Sequence, residues 1–272
     1  MAKKGDASRW RVDPGSPVRL DEIDTRSTEG APGDKSDTRH ATHALHDDLA
    51  GLQERLYAEG ERSLLVVLQA IDAGGKDGTI KHVFRGLNPA GSRVVSFKVP
   101  SEEERSHDFL WRVHAKVPAK GEVVVFNRSH YEDVLVVRVH DLVPEKVWRP
   151  RFGFINAFEE NLVAAGTRIV KLYLHISKEE QAERFRARLD DPTKRWKFRT
   201  GDLDERKRWD DYIAAFEEAI ARTSTDDAPW YVVPADRKWY RNWAISRILV
   251  ETLEDMDPRY PPAEDLSGVV VT

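Results

Sequence analysis

Cysteine is absent from this 272-residue chain, and methionine occurs only twice. No disulfide, thiolate zinc site or cysteine nucleophile can be built from such a sequence, and the composition fits a reducing cytoplasm. Long apolar runs are missing as well. The longest strongly apolar stretch, Leu64 to Leu68, is far short of the roughly 20 residues that a membrane-crossing helix needs. Lys3 and Lys4 have no apolar stretch behind them, so no signal peptide is expected. An excess of positive charge is also lacking: 43 Lys+Arg against 47 Asp+Glu leave a net charge of −4. Any phosphate chain or nucleic acid must therefore meet a local basic patch. What is present is 40% hydrophobic residues, enough for a core, and 33% charged residues for a well-solvated surface. The expectation is a soluble cytoplasmic globular protein.

Residues 1–39 are polar and irregular, with Gly, Pro, Ser, Thr and Asp scattered through them. They read as an arm, either a solvated tail or a segment packed on the domain. From about Thr42, Leu45, Leu49, Leu52 and Leu56 recur at helical spacing up to Gly60. The run from Ser63 to Ala70 is of buried-strand type. Further strands are expected at Arg93 to Phe97, Glu122 to Phe126, Arg168 to Leu174 and Trp230 to Val233. Helices are expected between them, at about 77–87, 102–116, 133–140, 145–165, 178–189 and 204–222, and after them at about 237–254. Such alternation predicts a five-stranded parallel sheet covered on both faces, an α/β fold in one domain of residues 40–258. Residues 259–272 read as an irregular tail.

Between the first strand and its helix lies Ala70-Ile-Asp-Ala-Gly-Gly-Lys-Asp-Gly78. Glycines let backbone N–H groups turn around a phosphate, and the following helix N-terminus adds free donors and the positive end of its dipole. Ala73, Gly74, Gly75, Lys76, Asp77 and Gly78 are thus candidate phosphate contacts. The match to the Walker A template is partial: Gly75 and Lys76 fit, but Ala70 replaces the first glycine and Asp77 the metal-binding hydroxyl. A glycine-rich turn with an exposed lysine is the competing reading. Asp72 would repel phosphate unless Mg2+ bridged carboxylate and phosphate oxygens, or unless it served as a general base. A turn aspartate bonding its own backbone is the structural alternative.

The third strand ends in Asn127-Arg-Ser-His-Tyr-Glu-Asp133. Asn127 stands where a charged metal ligand is expected, leaving Asp72, with Glu132 or Asp133, to supply charge. Arg128 offers a planar fork for phosphate. Asn127, Arg128, Glu132 and Asp133 form the candidate nucleotide-binding segment. From Arg184 to Arg208, ten Lys/Arg face five Asp/Glu, a local balance of +5. Arg184 and Arg188 share a helix face. Lys194, Arg195 and Lys197 continue the charge through a mobile-looking segment, about 191–208, where nucleotide-type kinases keep a lid. Lys81, Arg85 and Lys98 extend the basic track beyond Lys76. That length suits an extended polyanion better than one nucleotide triphosphate.

Together, Ala70 to Ile80, Phe126 to Val134, His175 to Arg188, Lys194 to Lys197 and Ala228 to Trp230 resemble the type-2 polyphosphate kinase family. The resemblance covers about residues 40–258. It implies a P-loop kinase sandwich of three α/β/α layers with a helical lid, similar to thymidylate kinase. It also implies Mg2+-dependent phosphoryl transfer between inorganic polyphosphate and nucleotides. By this resemblance Asp72 would bind Mg2+ and place the acceptor phosphate, Lys76 would contact the transferred group, and Arg128 would clamp phosphates. Asp133 would be a second acidic metal group, and Arg184 and Arg188 would stabilise charge from the lid. The Asn127 version of the strand-end motif resembles the class III subgroup, which phosphorylates AMP to ADP and ADP to ATP. A homo-oligomer is implied too. The competing readings are an ATP-dependent nucleoside or nucleotide kinase, and a nucleic-acid-binding domain stacking bases on Trp196, Phe198 and Trp209. The net negative charge and the lack of a nucleic-acid-binding motif speak against the latter.

Overall fold

The computed structural model describes residues 6–265 and Ser267. Lys3 and Lys4, and the end of the expected tail, lie outside the described residues; 259–265 form no regular element. The strands are β1 (Ser63–Gln69), β2 (Ser92–Ser96), β3 (Val123–Asn127), β4 (Thr167–His175) and β5 (Trp230–Pro234). The helices are α1 (Lys35–Glu59), α2 (Lys76–Val83), α3 (Glu102–Ser106), α4 (Trp111–His114), α5 (Val136–Val139), α6 (Glu145–Trp148), α7 (Arg151–Ala164), α8 (Lys178–Asp190), α9 (Gly201–Lys207), α10 (Trp209–Thr223) and α11 (Lys238–Met256).

All five strands pair in parallel, in the order β2-β3-β1-β4-β5. The central strand β1 is buried at every position, as its unbroken apolar run requires of a strand covered on two faces. The crossover from β1 to β2 runs one way along the sheet, and the later crossovers run the other way. Right-handed connections then put α2 on one face and α7 and α10 on the opposite face. The packing agrees: α1 and α11 lie together with α2, and α10 packs on α5 and α7. The result is a three-layer α/β/α sandwich.

Several helical segments differ from the sequence-based expectation. α1 starts at Lys35, inside the region read as arm, because Asp34 and Asp37 form a reciprocal capping box. The expected helix over 102–116 is two short helices, with His107 extended between them. The one over 145–165 breaks at Pro150, whose missing N–H suits a helix start. The expected helix over 133–140 is a 3-10 turn at His130–Asp133 followed by the single-turn α5.

The described residues before α1 pack on the domain. Trp10 and Leu20 are buried. Val12 N donates to the Trp230 carbonyl at 2.9 Å, beside an antiparallel bridge between Arg11 and Tyr231. This contact caps the outer edge of β5, which would otherwise present unpaired backbone groups. No helix among the described residues is long and apolar enough to cross a membrane.

Candidate active site

The carboxyl ends of β1 and β3 lie side by side, with Leu68 opposite Asn127 and Arg128 N donating to the Leu68 carbonyl at 3.1 Å. The loops leaving these two strands therefore meet where the sheet reverses its winding, the place where open α/β sheets form a ligand crevice. After β1 the chain turns tightly through 70–75. A Cβ on Gly74 would lie 2.4 Å from the Ala70 Cβ, so only glycine fits. Gly75 has φ 105° and is the N-cap of α2, a backbone state that side chains resist. The same turn brings Lys76 back over the loop, where its Nζ donates to the Ala70 carbonyl at 2.8 Å. Burial, together with the nearby Arg128 guanidinium, pushes the Lys76 ammonium down to about 8.

Arg128 itself sits at φ 61°, in the left-handed region. That conformation turns its side chain toward the loop, where Nη2 donates to Asp72 Oδ1 at 2.9 Å. Glu132 stands 4.0 Å from the same guanidinium. Asn127 Nδ2 donates to Asp77 Oδ1 at 3.1 Å. The two sequence motifs thus join directly, through Asp72–Arg128 and Asp77–Asn127.

Two cavities open from this junction and share Asp72 and Arg128. The larger, about 1530 Å3, runs along the loop 72–78 to Arg85 and Lys98, and to Lys194 and Lys197 in the segment between α8 and α9. Twelve Lys and Arg side chains line it against three Asp, so its chemistry is that of a polyanion site. The smaller, about 280 Å3, is lined by Glu132, Leu135, Val136, Trp209, Tyr212 and Phe216, among others. That mixture of aromatic, aliphatic and acidic groups suits a nucleoside. The segment between α8 and α10 contributes Arg199 and Asp202 to both cavities. Lys197 also lies 3.6 Å from Asp77, linking this segment to the loop 72–78.

Other candidate residues are placed differently. Lys81, Arg195 and Asp133 line neither cavity. Asp133 is held by Arg151 at 3.1 Å, and burial pushes its carboxyl up. Arg184 lines the larger cavity, but its guanidinium is already engaged: it pairs with Glu180 at 2.7 Å and donates to the carbonyls of Ala73, Gly74 and Ala235 at 3.0, 2.9 and 2.6 Å. It braces the loop from behind. Arg188 lines the cavity and donates to the Lys197 carbonyl at 3.3 Å. Sequence reading missed Lys238 and Arg241 on α11, and Tyr212 and Trp209 on α10 as pocket walls. Only the fold brings them to the loop, and no local motif marks them.

Residues 33–261 match the family model described as Polyphosphate kinase 2 (PPK2). The chain belongs to the polyphosphate kinase 2 family. It is 55% identical over 263 residues to a Meiothermus ruber protein named AMP/ADP-polyphosphate phosphotransferase, covering 97% of this chain and 98% of that one. It is 48% identical over 225 residues to a Rhodopseudomonas palustris ADP-polyphosphate phosphotransferase, covering 78% of each. A crystal structure of polyphosphate kinase 2 from Arthrobacter aurescens superposes with a TM-score of 0.92 at 46% identity, over 96% of this chain and 93% of that one. Within this family fold the donor set at the loop also fits Mg2+. Among the described residues no three His, Asp or Glu side chains gather as a metal cluster. Mg2+ needs no such cage when one or two carboxylates act together with substrate phosphates and water. Asp72, one third exposed and shared by both cavities, is such a carboxylate.

Proposed function

We propose that the protein transfers phosphoryl groups from inorganic polyphosphate to nucleotides, converting AMP to ADP and ADP to ATP. The observation that carries this reading is the pair of cavities meeting at Asp72 and Arg128. The long basic one suits an extended phosphate chain, and the small partly aromatic one suits a nucleoside. The names of the similar proteins support the same donor and acceptors.

In this reading the end of the polyphosphate chain lies at Lys76. An acceptor phosphate oxygen attacks the terminal phosphorus, the bridging P–O bond breaks, and the electron pair stays on the shortened chain. The attacking oxygen is already anionic, so no side chain needs to take a proton. The protein's work is alignment and charge stabilisation. Lys76 and the loop N–H groups meet the transferred group. Arg128 stands between donor and acceptor, and Asp72 and Glu132 hold its fork in place. Asp72 is the carboxylate that would hold Mg2+, whose charge when bound offsets that of the phosphate oxygens. The lid, through Lys197 and Arg188, closes the polyanion side against water. Self-association is part of the proposal. The outer edge of β2, with Val94 exposed, is a surface that favours it.

The test is product analysis with Mg2+ and long-chain polyphosphate, giving AMP to one reaction and ADP to another. ADP from AMP and ATP from ADP are the expected products. Product from only one acceptor narrows the activity to that nucleotide. Turnover with ATP as donor and none with polyphosphate overturns the reading.

A further inference from the structure

Lys238, Arg241 and Asn242 lie on one face at the start of α11, at i, i+3 and i+4, and all three line the larger cavity. Arg241 is only 2% exposed. Its guanidinium lies against the phosphate loop: a Cβ on Gly75 would fall 2.2 Å from its Nη1, and one on Gly78 would fall 3.5 Å from its Nη2. Its hydrogen bonds reach neutral acceptors only, Asn242 Oδ1 at 2.7 and 3.2 Å and the Gly75 carbonyl at 3.4 Å. Arg184, which also lies beside Gly75, is paired with Glu180 at 2.7 Å. Among the described residues Arg241 has no such carboxylate. Burial and the Arg184 charge push its guanidinium down to about 9. Lys238, exposed at the cavity rim, is also pushed down, by partial desolvation and by the Arg184 charge. A buried cation without a counter-ion is costly, and the cost is recovered when an anion arrives.

We propose that Lys238, Arg241 and Asn242 form a second anion subsite, holding phosphates of the donor chain behind the one that is transferred. This rests on the reading of the larger cavity given above. The three side chains belong to that cavity and not to the smaller one, so their occupant is the anion that fills the basic side. The planar fork of Arg241 grips two oxygens of one phosphate, Lys238 adds a point charge, and Asn242 fixes the fork. Phosphates behind the reacting one keep their charge through the transfer. The subsite therefore binds ground state and transition state equally, and shows in KM rather than in kcat. The triphosphate of ATP shares this chemistry and is the competing source.

The test uses the full chain as wild type, Arg241→Met, Arg241→Lys and Lys238→Met, with long-chain polyphosphate varied at saturating ADP. Arg241→Met is expected to raise KM for polyphosphate about 10- to 100-fold, the loss of one or two charge-assisted hydrogen bonds. Its kcat should change no more than about threefold, and Arg241→Lys should recover part of the loss. Lys238 is exposed, so Lys238→Met reports on the subsite without disturbing the fold, and should raise the same KM several-fold. Neither Met variant should move KM for ADP. The unliganded Tm of Arg241→Met should equal or exceed that of wild type, while its stabilisation by added polyphosphate shrinks. A lowered Tm with unmoved polyphosphate KM in both variants would make Arg241 purely structural and overturn the proposal. So would weaker ATP binding, in the reverse reaction, with polyphosphate KM unmoved. If wild type itself fails to use polyphosphate, the functional reading falls and this subsite with it. If wild type uses polyphosphate normally and the variants match it, only the subsite falls.

Discussion

Lys76 is held between two interactions of opposite effect. The Ala70 carbonyl fixes its ammonium over the loop at 2.8 Å, while burial and Arg128 lower its proton affinity to about 8. The charged form, which the proposed role of Lys76 requires, is present below that value and is lost as pH rises through it. The profile of kcat/KM for polyphosphate reports groups of the free enzyme. It should therefore fall as pH rises through about 8. In Lys76→Arg, whatever its absolute rate, that inflection should vanish, because guanidinium stays charged. An unchanged inflection in this variant would assign the titration to another group. The residue scale was legible in part. Asp72, Lys76 and Arg128 converge as their motifs imply, because those motifs sit at the ends of neighbouring parallel strands. Arg184 and Asp133 were less legible. A sequence shows that a charge is present, but not whether backbone carbonyls or a partner such as Arg151 have already engaged it.

At the scale of elements, the strand-end turn that carries Arg128 and Glu132 is anchored from below. Lys171, in the middle of β4, is fully buried and pairs with Glu159 of α7 at 2.5 Å. Glu159 also accepts from the Tyr131 hydroxyl at 2.8 Å and contacts His130 Nε2 at 3.2 Å. One buried cluster thus ties β4, α7 and the turn after β3 together. Burial would raise the Glu159 carboxyl, yet Lys171 and His130 hold it below its ordinary value. Its contribution to stability is therefore present above about pH 4 and is lost as pH falls further. Lys171→Met strands a buried carboxylate and should cost about 3–5 kcal/mol in denaturant unfolding. Lys171→Met combined with Glu159→Leu should recover much of that. A single variant as stable as wild type would contradict the anchoring role. The strands were readable because short β-branched and aliphatic stretches, such as Leu64 to Leu68 and Val123 to Phe126, admit few alternatives. The helices were less so, since breaks such as Pro150 and caps such as Asp34 act within one or two residues.

The whole molecule is closed by its N-terminal segment. Trp10 donates from Nε1 to the Tyr240 hydroxyl at 3.2 Å and packs edge-on against Trp243 at 5.6 Å. The Tyr240 hydroxyl donates in turn to the Glu29 carbonyl at 2.7 Å. Leu20 is buried, and its carbonyl lies 2.9 Å from His175 Nε2 at the end of β4. A polar, Gly- and Pro-containing stretch gives little periodic signal, so the sequence left a packed segment and a free tail equally open. Trp10→Ala should destabilise the protein by about 3–5 kcal/mol, as buried aromatic truncations do. An unchanged thermal midpoint would mean that the segment is not part of the cooperative unit. The same long-range packing brings α11 to the loop 72–78, which is why Arg241 is visible in the fold and silent in the sequence.

The proposed function requires that phosphoryl groups pass from polyphosphate at the loop 72–78. Its most direct test is the rate of ATP formation from long-chain polyphosphate and ADP, in wild type and in Lys76→Met, with circular dichroism and Tm recorded for both. Wild type should make ATP. Lys76→Met should keep its fold and lose about 10²- to 10³-fold in kcat, the scale of one preorganised donor at a developing charge. Near-normal turnover in a folded Lys76→Met would remove the loop from the transfer, and a wild type that accepts phosphate from ATP alone would remove polyphosphate as donor.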